Sequence, residues 1–227
     1  MSAGEGAWET ILTKVRKGLG VYDSGQRRAV VAARLGTPPP SLVPARAKRP
    51  KDELRGMLRT FLEGQSAKVV EVASAAEAPA AIGRFLRSTN LPLRVRMGED
   101  AYLAGLAWAS EPALERLQGP ADGEDSVGLS HATAAVAETG TLVLASGPDN
   151  PVTLGFLPET HIVVVEEKDL VGSYEGAWEK VRASFGRGAM PRTVNFISGP
   201  SRTADIGGQL VMGAHGPRRL CVILVRN

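Results

Sequence analysis

The sequence holds a single cysteine among its 227 residues, Cys221. One thiol cannot close an intrachain disulfide, and it cannot supply the several thiolates that an iron–sulfur cluster takes. Its place in the apolar run Leu220 to Val225 predicts a buried core thiol. Aromatic residues are also scarce, at 5%. That is too few for a base-stacking platform, and no basic block is interleaved with aromatics, so nucleic-acid binding is not expected. No apolar run reaches the roughly 18–20 residues of a membrane-spanning helix. No charged segment followed by an apolar stretch opens the sequence, so no secretory signal is expected, and the cytoplasm is the expected location. Charge of one sign is not in excess, since 27 Lys+Arg against 24 Asp+Glu leave a net charge of +3.

Several motifs are missing too. Neither GxGxxG nor GxxxxGK[ST] occurs, which removes the usual sequence case for a tightly held dinucleotide or a Walker loop. No GxSxG elbow supports a serine triad. His131, His161, His215, Glu138 and Asp205 offer metal-donor atoms, but no HxH or HExxH spacing joins them. No metal site is expected, and no cofactor is expected on this chain.

What remains is ordinary globular material, 43% hydrophobic and 22% charged. Apolar positions at helical spacing (Trp8, Ile11, Leu12, Val15, then Ala29, Val30, Ala33) predict two short helices. The stretch GTPPPSLVPARAKRP follows and reads as an extended arm, with Arg46, Lys48, Arg49 and Lys51 as a solvated charge run. The division expected is residues 1–50 for helices and arm, and 51–227 for one α/β domain. Beyond the arm, helical segments at 52–64, around Pro79, and at GAWEKVRASFG alternate with β-rich runs. Those runs are KVVEVA, LRVRMG, residues 125–129, TLVLAS, HIVVVEE, VNFIS and RLCVILV. A helix is expected over 203–212. Alternating strands and helices imply a mostly parallel sheet flanked by helices. Runs such as Ile162 to Val165, apolar without alternation, suit strands buried on both faces.

In such sheets ligands sit beyond the carboxyl ends of the strands. Ser198-Gly199-Pro200-Ser201-Arg202-Thr203 ends a strand read as central and precedes the expected helix, with Asp205 in its first turn. A helix N-terminus offers unpaired N–H groups, and Arg202 adds a planar cationic fork. The segment reads either as an anion cradle or as a capped turn. Glu138, with Thr139 and Gly140, enters a strand and could act as base or nucleophile, or simply end a helix. His215, in the turn GAHGP, is a second candidate for catalysis. The expected arrangement brings Glu138, His215 and the Arg202 loop to one sheet edge.

AVAETGTLVL, LPETHIVVVEEKDLV and ISGPSRTADI followed by LVMGAHGPRRLCVILV together resemble the LUD-domain family of lactate-utilisation proteins. The resemblance implies a fold like that of the NagB/RpiA/CoA-transferase superfamily, with a variable N-terminal leader. It implies a role in oxidising L-lactate to pyruvate, as the cluster-free member of three proteins encoded together, whose partners carry cysteine-rich iron–sulfur motifs. It places the motif residues at Glu138 to Thr141, Pro158, His161, Ser198 to Ile206 and His215 to Pro217. One departure is that Gly207-Gly208 stand where the family commonly has a glutamate. Two other functions stay open. One is a stand-alone enzyme like the CoA transferases or sugar-phosphate isomerases of similar fold. The other is a non-enzymatic scaffold for the iron–sulfur partners.

Overall fold

The structure is a computed structural model that describes residues 3–20, 24–37, 42–186, 188–206 and 209–226. The chain divides into two compact units, Met1–Leu42 and Val43–Asn227. The first holds the two expected helices, α1 (Ala3–Gly18) and α2 (Ser24–Gly36). Residues 43–50, read above with the arm, run with the second unit. There Ala47 is buried, Arg46 pairs with Glu138, and Lys51 donates to the carbonyls of Glu167 and Leu170. Residues 38–41 of the arm, among them Pro38, Pro39 and Pro40, lie outside the described residues.

The second unit is built on a six-stranded sheet. Its strands are β1 (Lys68–Val72), β2 (Arg94–Met97), β3 (Glu115–Gln118), β4 (Val127–His131), β7 (Thr160–Glu166) and β12 (Arg219–Val225). Their order is β1-β12-β7-β4-β2-β3, and every pair is parallel. All seven residues of β7 are buried, which explains its unbroken apolar run. Successive residues point to opposite faces. Ile162 and Val164 of β7, with Cys221, Ile223 and Val225 of β12, face one core. That core is covered by α4 (Ala78–Ser88), whose Ala78, Ala81, Ile82, Phe85 and Leu86 recur at helical spacing and are buried. Pro79 occupies the first turn of α4, where its missing N–H costs nothing. Val163, Val165, Val222 and Leu224 face a second core. It is filled by Leu54, Leu58 and Leu62 of α3 (Lys51–Gly64), one stripe at i, i+4 and i+8. Asp52 and Glu53 suit the dipole at the start of α3. Fully burying a side chain such as Leu58 or Ile223 stabilises the fold by about 1.5–3 kcal/mol.

The same second core takes in a smaller sheet, which the sequence does not announce. It contains β5 (Ala134–Val136), β6 (Thr141–Ala145), β8 (Leu170–Val171) and β9 (Val194–Ile197), in the order β8-β5-β6-β9. β6 is antiparallel to both β5 and β9. Its other face is covered by Ala177 and Val181 of α6 (Tyr174–Phe185), which ends at Gly186 with φ of 83°.

Two expectations are corrected here. The run VNFIS is not a central parallel strand; β9 is an edge strand of the smaller sheet. No helix spans 203–212. β10 (Arg202–Ile206) and β11 (Gln209–Met212) form an antiparallel hairpin instead. The β-branched Thr203, Ile206 and Val211 and the intervening Gly-Gly dipeptide are hairpin signals that outweigh a helical reading. Gly207 and Gly208 themselves lie outside the described residues. The element α5 (Ala101–Ala104), a single turn, is capped by the Asp100 carboxylate, which accepts the N–H of Leu103 at 2.7 Å.

Candidate functional site

The loop that follows β9 and the loop that follows β11 are tied together by Ser201. Its N–H donates to the carbonyl of Pro217 at 2.8 Å, and its carbonyl accepts the N–H of Gly213 at 2.9 Å. Its hydroxyl oxygen accepts the N–H of His215 at 3.3 Å. Between these loops lies a cleft of about 320 Å³, within the size range of small-molecule sites. Its walls include Phe156, Phe196, Ile197 and Leu220, and its polar groups come from Asn195, Ser198, Ser201, Arg202, His161 and His215. A second cleft of about 450 Å³ shares Phe156, His215 and Gly216 with the first and continues past Leu157, Met212 and Arg218.

Arg202 is exposed, and one of its guanidinium nitrogens donates to the Gln65 side-chain oxygen. Gln65 follows α3 directly, so the end of that helix holds the cationic fork at the cleft. Gly199, with φ of 122°, brings the loop against Gln65; a Cβ there would lie 2.8 Å from the Gln65 Cβ. Only glycine meets both demands. The cationic group expected of an anion site is therefore present, but the helix N-terminus is not, because a strand follows Arg202. The cleft thus presents a guanidinium and hydroxyls, without a helix N-terminus.

His161, expected only as a metal-donor type and as a motif residue of the resemblance, contributes to the cleft. It is the second residue of β7 and is buried, with Nε2 3.0 Å from the Ser130 hydroxyl. Burial pushes its imidazole down to about 4, so the ring is neutral at physiological pH. A histidine directly before an unbroken apolar β run was the available signal. Phe156 and Asn195 carried none.

The cleft gathers Ser198, Gly199, Ser201, Arg202 and His215. It does not gather Glu138, Thr139, Gly140 or Thr203 among its lining. Glu138 sits in the turn between β5 and β6. It is buried, and one carboxylate oxygen accepts from Arg46 Nε at 3.1 Å. Its backbone N–H donates to Gly172 at 3.2 Å. Glu138 is therefore not among the groups that line the cleft with Arg202 and His215, and its ion-pair partner Arg46 comes from the arm. Gly140 has φ of 64° and packs its turn against Phe61 of α3. A chain of hydroxyls links this turn to the cleft. Thr139 and Thr141 lie 2.7 Å apart, Thr141 and Ser198 2.6 Å, and Thr141 and the Tyr174 phenol 3.0 Å. Asp205 falls in β10, and its side chain lies outside what the structure describes.

The cleft also lies at the opposite edge from the one expected. His161 and Leu220 are in register near the amino-terminal ends of β7 and β12. At the carboxyl-terminal edge stands a separate group, His131, Glu166 and Asp169, which among the described residues is the set of histidine and carboxylates able to hold a metal ion. His161 and His215 both line the cleft, whereas His131 belongs to this other group. Among the described residues no helix is long and apolar enough to cross a membrane.

A parallel sheet covered by helices on one face and by helices and a second sheet on the other defines an α/β protein with a loop-built cleft. More particularly, residues 123–225 match the LUD domain. Relatives include a "Lactate utilization protein C" of Bacillus subtilis, 37% identical over 103 residues, covering 45% of this chain and 43% of the relative. Another, of Shouchella clausii, is 37% identical over 99 residues, covering 44% of this chain and 43% of the relative. A Neisseria meningitidis protein described as uncharacterized, NMB1437, is 36% identical over 151 residues, 64% of each chain. The matched stretch thus spans less than two thirds of these relatives. A crystal structure of a DUF162 family protein from Deinococcus radiodurans superposes with a TM-score of 0.60 at 28% identity, covering 78% of this chain and 99% of that one.

Proposed function

We propose that this chain serves in lactate utilisation and binds a small carboxylate anion in the cleft at Arg202. One observation carries the reading. The two segments that form the cleft, Ile197 to Arg202 and Gly213 to Pro217, lie within the LUD-domain match, and they bring a guanidinium, two serines and His215 around one opening. An arginine fork matches the two oxygens of a carboxylate, and the serine hydroxyls suit a 2-hydroxy or 2-oxo group. Neutral His161 gives the floor a group that hydrogen-bonds without adding charge.

In this reading the chain is the cluster-free component of lactate oxidation, and the iron–sulfur centres belong to cysteine-rich partners. Oxidising lactate to pyruvate releases two electrons and two protons, which a lone buried thiol such as Cys221 does not accept. The test is calorimetric titration with L-lactate, pyruvate and phosphate, followed by reconstitution with the partners. The expected result is carboxylate binding by the single chain and turnover only with partners present. Turnover of L-lactate by the chain alone would refute the division of labour, and absence of any carboxylate binding would refute the site.

One observation favours a second reading. The cleft and its neighbour, about 320 and 450 Å³, exceed what the six non-hydrogen atoms of lactate fill at about 30 Å³ each, the share of a water molecule. A larger anion, such as a sugar phosphate or an acyl thioester, would use both. Tighter binding of such a ligand than of lactate would favour this stand-alone enzyme.

A further inference from the structure

We propose that His131, Glu166 and Asp169 bind a divalent transition-metal ion at the carboxyl-terminal edge of the parallel sheet. His131 is the last residue of β4 and Glu166 the last of the adjacent β7. Asp169 ends the short turn that follows. One donor atom from each lies within 4.8 Å of the other two. Small side-chain rotations bring such a trio to the about 2.0–2.2 Å at which zinc takes nitrogen and carboxylate oxygen.

The arrangement around the imidazole is the main support. Its Nδ1 lies 3.3 Å from Asp100 Oδ2. Asp100 is itself fixed by the Leu103 N–H on its other oxygen. A carboxylate accepting Nδ1–H sets the tautomer that leaves a lone pair on Nε2, which is the usual outer support of a metal-bound histidine. The Tyr102 ring stacks on the imidazole at 4.4 Å and 16°, which fixes the plane. The Nε2 atom is buried and has no hydrogen-bond partner. It lies 3.7 Å from Glu166 Oε2. A lone pair facing a carboxylate oxygen is unfavourable unless a cation lies between them. The Tyr102 hydroxyl, from the same stack, is a second buried polar atom without a partner. Orphaned buried polar atoms are rare enough to require an explanation, and one bound ion with its waters supplies it for both.

Two ammonium groups compete for the carboxylates. Lys168 Nζ lies 2.7 Å from Glu166 Oε2, and Lys180 Nζ 2.6 Å from Asp169 Oδ1. The Lys168 side chain is 62% exposed and can return to water when an ion arrives. One imidazole with two carboxylates suits zinc, manganese or cobalt better than magnesium or calcium, which prefer oxygen alone. The site is independent of the cleft at the other edge.

The experiment is metal uptake by the full chain after chelator treatment, read by elemental analysis and by titration with Zn²⁺, Mn²⁺ and Mg²⁺. The expected result is one equivalent of Zn²⁺ or Mn²⁺, with Mg²⁺ at least tenfold weaker. His131→Ala and Glu166→Gln should each weaken binding at least tenfold, and Lys168→Met should tighten it several-fold. No stoichiometric uptake by the wild type, or equal affinity in His131→Ala, would overturn the proposal. If His131→Ala fails to fold, Lys168→Met decides, because unchanged affinity there means that the ion does not contact Glu166.

Discussion

At the amino-terminal edge of the six-stranded sheet the cleft is assembled by loops, whereas at the carboxyl-terminal edge the strands themselves end in His131 and Glu166. The two edges lie five residues apart along β7, about 16 Å at the usual rise per residue. Placement works differently at each. Register fixes His131, which pairs with Val164 of β7, and Glu166, which pairs with Val225 of β12. Arg202 and His215 depend instead on Ser201, Gln65 and the turn at Gly199. Substitutions in loops should therefore tune the cleft without touching the opposite edge, and substitutions within strands should affect both.

The strongest test of that contrast is Gly128→Ala. Gly128 pairs with His161 in β7, and a Cβ there would lie 2.1 Å from the Leu154 carbonyl oxygen. Backbone has to move, so a loss of about 3 kcal/mol or more is expected. Thermal unfolding should show it as a drop of about 6–12 °C for a unit of this size. A change under 2 °C (roughly 0.5–1 kcal/mol) would mean that the edges are less rigidly coupled than the register suggests.

A second effect is pH dependence from His161. Its folded value, about 4, lies below its ordinary 6.5, so the unfolded chain binds more protons between those limits. Stability should rise with pH from about 4 to 6.5, by an amount on the order of 3 kcal/mol from this one group. His161→Asn should remove that part of the slope in urea titrations at several pH values. An unchanged slope would show that the imidazole is not held neutral.

Arg202→Met comes next. It should weaken carboxylate binding by about 1.5–3 kcal/mol, read by calorimetry, while leaving the melting temperature nearly unchanged. Unaltered affinity would remove Arg202 from the site. The smallest effect is expected of Arg46→Ala. Its partner Glu138 is buried, but Arg46 itself is 62% exposed, so a stability loss of about 1 kcal/mol is expected, with carboxylate affinity unchanged. A loss of affinity instead would return Glu138 to the functional site through the Thr139–Thr141–Ser198 hydroxyls.

The sequence reveals the parallel sheet because β7 and β12 are long and apolar, and Leu54, Leu58 and Leu62 recur at one helical spacing. It conceals the second sheet. β5 is three residues of alanine and valine, β8 is two residues, and neither length nor alternation marks such strands. Once β6 and β9 leave the main sheet, the rule about carboxyl ends of strands no longer locates the Ser198 loop. The cleft was half legible, since the Ser198–Arg202 and Gly213–Pro217 segments stand out as turns with polar groups. Gln65 could not be read, because it meets Arg202 across 137 residues of chain. The group at His131 was equally hidden, as His131 is far in sequence from Glu166 and Asp169 and meets them only through strand pairing.

β12 lies between β1 and β7 in the sheet although it follows both in the chain. Lys68 pairs with Cys221, roughly 150 residues away, so the centre of the sheet closes by a very long-range contact. During synthesis β1 therefore waits without its strand neighbour, and β7 presents an open edge, until β12 has left the ribosome. Assembly of this unit is expected to be slow. In that interval the unfinished chain exposes apolar strand edges that a chaperone would need to shield.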